Sequence, residues 1–330
     1  MDLTNRRIIL IAPKYFDYEL EIKKRLEEWG ANVYLIYENM DKVSIYYKIL
    51  YSKFPNHMSE AMDRYFKKKI VSAFSDVDYV LVIRGQFLSK TVIDYMKSKF
   101  GRKCHYILYQ WDSVKNNENA KIIASKFDRV YTFDPEDAKR YKWTYRPLFY
   151  IATKIDKEEK KVNDLLYICS LHSDRARVLS ELKEFCAEKG LTYRALLFEK
   201  QYIFLKRKYI DGKPEYRSVD NRDMTFKSVK LSQAYKLYGR SKAVVDYTHP
   251  GQKGYTMRTI ECLGNRCKLI TNNEQIRKAD FYDERNIYIY DNNKFEVSEK
   301  FVREDYCDIE PQIYQYYSLD YWIETLLKIS

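Results

Sequence analysis

Short, nearly continuous apolar runs alternate along this chain with longer amphipathic stretches, the pattern of strands and helices taking turns. Residues 7–12 (Arg-Ile-Ile-Leu-Ile-Ala) are almost wholly apolar and are stopped by Pro13, which predicts a strand covered on both faces. Residues 18–29 set Leu20, Ile22, Leu26 and Trp29 among charges and end at Gly30, which predicts a helix, and residues 32–37 predict a second strand. The same alternation predicts strands at 79–83, 105–109 and 129–133, with helices at 89–100, through Ile122-Ile123, and from Glu136 behind Asp134-Pro135. Residues 43–74 predict two helices interrupted at Pro55, whose basic run at 64–69 is either a solvated face or a contact for an acceptor or membrane. Asp76-Val77-Asp78 precedes its strand and reads as a helix-to-strand turn rather than a metal-binding string.

The pattern breaks between Tyr145 and the charged run 157–161, then restarts at Leu165. Strands are predicted at 165–169, 192–198, 243–247, 267–271 and 287–290, helices at 178–189, 232–238 and 319–329, and a hairpin at Asp211-Gly212. Two domains result, 1–152 and 162–315, with 316–330 a C-terminal helix that can pack back on the first. Each is expected to be a Rossmann-like, doubly wound α/β sheet, in which ligands gather beyond the carboxyl ends of the strands. Arg84, Asp112 and Asp134 lie at such ends in the first domain. A polar loop at 170–177, holding His172, Asp174, Arg175 and Arg177, does so in the second.

The stretch with the most chemistry is Gln252-Lys-Gly-Tyr-Thr-Met-Arg-Thr-Ile-Glu261, which comes after a strand and a His-Pro-Gly turn and opens a helix. Gly251 and Gly254 sit where backbone must come close to a ligand, and a helix N-terminus with its free N–H groups suits a phosphate. Arg258 and Glu261, three apart, share a helix face, so a cation for a diphosphate lies beside a carboxylate for paired hydroxyls. The alternative is an ordinary ion pair on a helix behind a glycine turn.

Composition narrows the classes. A chain of 330 residues with 45% apolar content supports two cores of ordinary size. No apolar run is long enough for a spanning helix and the N-terminus has no signal-peptide pattern, so a cytoplasmic protein is expected. Six cysteines without CxxC spacing predict reduced thiols and no metal site. A net charge of +12 calls for an acidic partner: nucleotide phosphates, an anionic membrane or nucleic acid. The 33 tyrosines come without an RNA-binding motif, and no GxxxxGK[ST] loop supports a kinase or sulfotransferase.

Two nucleotide-type folds with a Gly-turn and Arg-x-x-Glu helix in the second resemble glycosyltransferases of the two-Rossmann (GT-B) architecture, whose domains face a cleft. Tyr109-Gln-Trp-Asp-Ser113, Phe127-Asp-Arg-Val130, Thr132-Phe-Asp134 with Asp137-Ala138, and Pro147-Leu-Phe-Tyr150 resemble the N-terminal pattern of a family of capsule and lipopolysaccharide loci. Residues 252–261 match the same family and are similar to CgeB-like transferases. More distantly, Thr256-Met-Arg258 with Glu261 is similar to the nucleotide-binding helix of phage DNA β-glucosyltransferases.

That resemblance implies roles. Asp112 would be the catalytic base, with helix capping as its structural alternative. Arg175, Arg177 and Arg258 would stabilise the departing diphosphate without a metal, Glu261 would hold the ribose, and Gln252, Gly254, Tyr255 and Thr256 would complete the donor site. Apart from the resemblance, Arg84 and Trp111 are candidates to contact the acceptor, and Arg84 could equally position the donor or cap a strand end. Retaining enzymes of this architecture often carry a glutamate eight residues before the ribose-binding one. Here that place is Lys253, so inversion is expected. The expected activity is transfer of a sugar from a nucleotide-sugar donor, a UDP-sugar first, to a lipid-linked or cell-envelope glycan at an anionic membrane. The alternatives are a nucleic-acid acceptor and a non-catalytic nucleotide-binding protein. No cofactor beyond the nucleotide-sugar substrate is expected.

Overall fold

The structure is a computed structural model, and it describes residues 1–38, 55–152, 160–171, 174–217, 219–248 and 254–328. The chain divides into two compact units, Met1–Leu148 with Leu319–Ser330, and Phe149–Ser318.

In the first unit β1 (Arg7–Ala12), α1 (Tyr18–Glu28), β2 (Asn32–Tyr37), α2 (Pro55–Val71), β3 (Tyr79–Ile83), α3 (Lys90–Phe100), β4 (His105–Gln110), α4 (Asn119–Ile123), β5 (Arg129–Thr132), α5 (Pro135–Tyr141) and β6 (Thr144–Tyr145) succeed one another. The strands form one sheet in the order β2-β1-β3-β4-β5-β6. Every pairing is parallel. Residues Ile8 to Ala12 of β1 are fully buried, which is why that strand reads as an unbroken apolar run rather than an alternating one. Ser89 and Asp134 cap α3 and α5 by accepting hydrogen bonds from backbone N–H groups of the first turn.

The second unit carries β7 (Asn163–Ser170), α6 (Arg175–Lys189), β8 (Tyr193–Phe198), α7 (Gln201–Leu205), α8 (Pro214–Arg217), β9 (Met224–Thr225), α9 (Leu231–Gly239), β10 (Ser241–Asp246), α10 (Met257–Gly264), β11 (Lys268–Thr271), β12 (Ile287–Ile289), α11 (Glu299–Arg303) and α12 (Pro311–Tyr316). Its sheet runs β12-β11-β10-β7-β8-β9 and is again parallel throughout. Counted from β7, this is the 3-2-1-4-5-6 order of a dinucleotide-binding sheet, with its switch point between β7 and β10. A final helix, α13 (Leu319–Leu327), belongs to the first unit. Its buried Trp322 meets the Tyr109 ring edge-on with centroids 4.7 Å apart, and Tyr131 donates to the Thr325 carbonyl at 3.1 Å.

Two expectations change. The hairpin predicted at Asp211-Gly212 is the end of a helical segment. Residues 206–210 wind a π-helical turn after α7, Asp211 N–H donates to the Lys206 carbonyl, and Gly212, at φ 60°, releases the chain. Glycine served as a helix stop because only it takes that φ without strain. Arg175 and Arg177, predicted in a loop, sit in the first turn of α6. The first of the two helices predicted in 43–74 lies largely outside the described residues.

Candidate functional site

The carboxyl ends of β7 and β10, the two strands at the switch point of the second sheet, gather the polar groups singled out above. Arg175 spans both: its Nη1 donates to the Ser170 carbonyl at 3.0 Å and its Nη2 to the Tyr247 carbonyl at 3.4 Å. Asp246, the last residue of β10, is buried, and it organises the entry into α10. Its Oδ2 accepts from Thr256 Oγ1 at 2.8 Å and from Thr248 Oγ1 at 3.3 Å, while Oδ1 lies 3.4 Å from Arg258 Nη1.

Thr256 is the N-cap of α10. Its hydroxyl accepts from Thr259 N–H at 3.1 Å while donating to Asp246, so one side chain both starts the helix and ties it to the sheet. This placement sets Arg258 at the end of β10, and both it and Arg175 act by their charge on the Cys169 thiol near the end of β7. The Arg258 Nε is buried and has no hydrogen-bond partner among the described residues. Burial opposes its charge, but the carboxylates of Asp246 and Glu261 outweigh that and hold its pKa above the ordinary arginine value. Glu261 is buried one turn on, accepting from the Tyr238 hydroxyl at 2.8 Å. Tyr238 in turn is kept protonated by burial and by that carboxylate. Chemically this is a buried pair of carboxylates crossed by a guanidinium, with a second guanidinium on the strand ends: a grip for a multiply charged anion.

The remaining expected donor residues divide. Gly254 is buried beside the cap, and the Tyr255 ring packs edge-on against Phe281 at 5.4 Å. Arg177 is turned elsewhere. Its guanidinium pairs with Glu181 at 2.7 Å and donates to the Asn292 carbonyl at 2.6 Å, anchoring the chain beyond β12. Glu181 also accepts from Phe295 N–H at 2.7 Å and so is a structural carboxylate rather than a bystander. Gln252 lies outside the described residues, as do His172 and His249.

The first sheet reverses between β1 and β3, and its strand ends carry a different chemistry. Arg84, directly after β3, has a left-handed backbone (φ 72°), a conformation that costs a non-glycine residue about 1 kcal/mol or more and that recurs at functional sites. Its carbonyl accepts from Gln110 Nε2 at 2.6 Å and Asn117 Nδ2 at 2.8 Å, and its guanidinium meets the Gln86 side chain. Glu38, fully buried behind β2, accepts from Gln86 N–H at 2.9 Å and Gly85 N–H at 3.1 Å. Burial pushes its pKa up to about 7, against the pull of Arg84 and these N–H groups.

After β4, Trp111 stands against Tyr15 of the β1 loop, ring centroids 5.8 Å apart, with Phe16 4.6 Å from Tyr15. Asp112 comes next, half-exposed, accepting from Asn116 Nδ2 at 3.0 Å. It does not cap the next helix, since α4 begins only at Asn119 behind Glu118. The loop is pinned by Asp137, which accepts from Val114 N–H at 2.7 Å. Among the described residues no group of three or more His, Cys, Asp or Glu is placed to hold a metal ion.

Sequence reasoning passed over Asp246, Tyr238 and Glu38. A signal for Asp246 exists: a carboxylate closing an otherwise apolar, doubly covered strand just before a turn has to be neutralised by something nearby. Tyr238 and Glu38 give no such sign, because one looks like a core aromatic and the other like a loop carboxylate.

With this geometry in hand, the chain can be set beside solved structures. It is similar to Anabaena HepE in complex with UDP and glucose (9% identity over 97% of this chain and 98% of that one, TM-score 0.57). It is similar also to a glycosyltransferase from Rickettsia africae (11%, 98% and 97%, TM-score 0.56). A third is an α-glucosyltransferase in complex with UDP and a 13-mer DNA (11%, 85% and 81%, TM-score 0.53). The fold is that of the GT-B glycosyltransferases. At these identities the likeness is one of architecture. No protein-family model matches the chain and no curated protein matches its sequence, so the likeness to capsule, lipopolysaccharide and CgeB-like transferases rests on the motifs quoted above.

Proposed function

We propose that this protein is an inverting, metal-independent glycosyltransferase that moves a sugar from a nucleotide-sugar donor, a UDP-sugar first, to a cell-envelope glycan. The observation that carries the reading is the convergence of Arg175, Arg258 and the α10 N-terminus on the switch point between β7 and β10. A diphosphate leaving group needs fixed positive charge where its own charge develops, and two positioned guanidinium groups beside a helix N-terminus supply it. Glu261, oriented by Tyr238, receives the ribose hydroxyls. Arg175 and Arg258 are better placed for the diphosphate than Arg177, which is committed to Glu181 and the Asn292 carbonyl.

In the first unit Asp112 takes the proton of the acceptor hydroxyl as that oxygen attacks the anomeric carbon. Trp111, Tyr15 and Phe16 beside it give a sugar ring apolar faces to lie against, and Arg84 reaches its hydroxyl or acidic groups. The UDP in the HepE and α-glucosyltransferase complexes supports a uridine donor here. Among the described residues no helix is long and apolar enough to cross a membrane. We place the reaction on the cytoplasmic side, where nucleotide-sugars are made.

The test is a thermal-shift panel with UDP, GDP, CMP and dTDP, each with and without EDTA. A nucleotide at about 100 times its dissociation constant stabilises the fold by roughly 2.7 kcal/mol. A chelator-insensitive rise with UDP alone is the expected outcome. A rise that vanishes with EDTA would overturn metal independence, and no rise with any nucleotide would leave a non-catalytic protein on this fold. A second reading, a nucleic-acid acceptor, draws on the charge of +12 and on the DNA in the α-glucosyltransferase complex. Duplex binding that weakens steeply with salt would favour it.

A further inference from the structure

Residues 201–210, formed by α7 and the π-helical turn after it, have the polarity of a surface helix turned inside out. Two of their three charged residues, Arg207 and Lys208, face the protein. Arg207 reaches Glu199 at 2.6 Å and the Tyr216 hydroxyl at 2.7 Å, and Lys208 donates to the Val219 carbonyl at 2.6 Å. Phe204, fully buried, sits on the same inner face. The outer face is apolar: Tyr202, Leu205 and Tyr209 are exposed, and Ile210 more so than any of them, at 78%. Positions 202, 205 and 209 have the spacing of one helix face, so these side chains form a stripe rather than a scatter. Phe226, also exposed, packs against Phe204 at 6.0 Å between ring centroids.

Lys206 stands exposed on that same outer face, and Lys200, Lys213, Arg217, Lys227 and Lys230 are exposed in the segments next to it in the chain. Of the nearby carboxylates, Glu199 pairs with Arg207, both Asp220 and Asp223 with Lys183, and Asp211 with Lys206 at 3.7 Å, while Glu215 is exposed, so the cations outnumber the acids here. The surface is therefore an apolar ridge in a basic rim.

We propose that this ridge seats in the headgroup–acyl boundary of an anionic bilayer. A second copy of the chain would bring two basic rims together, on molecules that each carry +12. Nucleic acid would be drawn to the lysines and could stack on the tyrosines, but it gives Leu205 and Ile210 nothing to bury against. A bilayer boundary takes all three: aliphatic tips enter the acyl region, tyrosine rings sit at headgroup depth, and lysines reach the phosphates. The assignment moves the membrane contact from the basic helices of residues 43–74, where the sequence suggested it, to the second unit. It stands apart from the donor site and holds whether or not the protein transfers sugars.

The experiment is flotation of the full chain with vesicles of phosphatidylcholine alone and of phosphatidylcholine with about one third phosphatidylglycerol. No nucleotide is added, so the result is separate from the donor test. The chain should float with the anionic vesicles and not with the neutral ones. Tyr209→Ser with Ile210→Ser should lower that partition at least about tenfold, and Lys206→Glu with Lys213→Glu should do the same by charge. Both pairs are exposed, so thermal melting should be unchanged. Lys67→Ser with Lys68→Ser, in α2, should float like the parent.

Failure of the parent to float with anionic vesicles, or equal flotation of the Tyr209/Ile210 variant, would overturn the proposal. So would a parent dimer in sedimentation that this variant dissolves, which would give the ridge to a second copy. Loss of duplex-DNA binding in the variant with flotation unchanged would give it to nucleic acid instead.

Discussion

In the second unit the chain leaves β7 toward β8 and β9 and comes back beside β7 as β10, so two central strand ends meet with no loop crossing between them. Charge collects there: Asp246 closes β10 and meets Arg258, Arg175 reaches the chain at both strand ends, and Glu261 follows on α10, with tyrosines supplying hydroxyls. In the first unit the reversal falls between β1 and β3. What collects there is the Gln110, Asn117 and Arg84-carbonyl hydrogen-bond network beside the single pair of Glu38 and Arg84, flanked by the aromatic rings of Tyr15, Phe16 and Trp111. The same sheet architecture thus carries two kinds of polar cluster. One is dense in buried charge, the other in amide hydrogen bonds and aromatic rings, and strand order decides only where each can form.

Four experiments bear on that contrast. The largest effect should come from Asp112→Asn. Transfer from a UDP-sugar should fall by roughly 10²–10⁴-fold, the usual contribution of a general base. UDP affinity and melting temperature should hold, because Asp112 is half-exposed and its partner is an asparagine. Weakened UDP binding in step with the lost turnover would blur the division of labour between the units.

Next is Arg258→Ala, which strands Asp246 and Glu261 as buried carboxylates. Chemical denaturation should show a loss of about 3–5 kcal/mol, with UDP binding abolished. Arg177→Ala removes a partly exposed pair and should cost about 1 kcal/mol or less. Equal losses of UDP affinity in the two variants would mean that the switch point is not the donor site.

The third concerns the first unit alone. Glu38 has a folded pKa of about 7 against an ordinary 4.5, so the folded state holds its proton more tightly than the unfolded chain does. Stability from this group is fully present below about pH 4.5 and is lost as pH rises through about 7, by on the order of 3 kcal/mol. Glu38→Gln should flatten that part of the stability–pH curve. An identical slope in both proteins would put the titration elsewhere. The smallest effect is that of Tyr238→Phe, which takes one hydrogen bond from Glu261. It should cost about 1 kcal/mol of stability and a few-fold of nucleotide affinity by calorimetry.

Much of the fold could be read from local pattern, for a local reason. A strand buried on both faces has to be apolar throughout and an amphipathic helix has to repeat near 3.6, so β1, β3 and α3 declare themselves within their own residues. The Arg-x-x-Glu helix was legible too, because capping threonine, cation and carboxylate fall within a few positions of one another. Other features were not. The hairpin at Asp211-Gly212 failed because a glycine stop serves a helix end as well as it serves a turn, and nothing nearby in the sequence separates the two. Arg175 and Arg177 are two residues apart and look interchangeable, yet successive helical positions project about 100° apart, and packing sends one to the strand ends and the other to the segment after β12.

The sequence by itself determined the alternation of strands and helices, the break between two series and the helix that carries Arg258 and Glu261, since each of these depends on neighbours in the chain. Tertiary structure alone decided the strand orders, the pairing of Asp246 with Arg258 and Thr256, the hydroxyl of Tyr238 on Glu261, the burial of Glu38, and the outward turn of Tyr209 and Ile210. Each of these depends on which distant segments share a strand end or a face. Burial and pairing, which set the charge and reach of every polar group, exist only once the chain has folded.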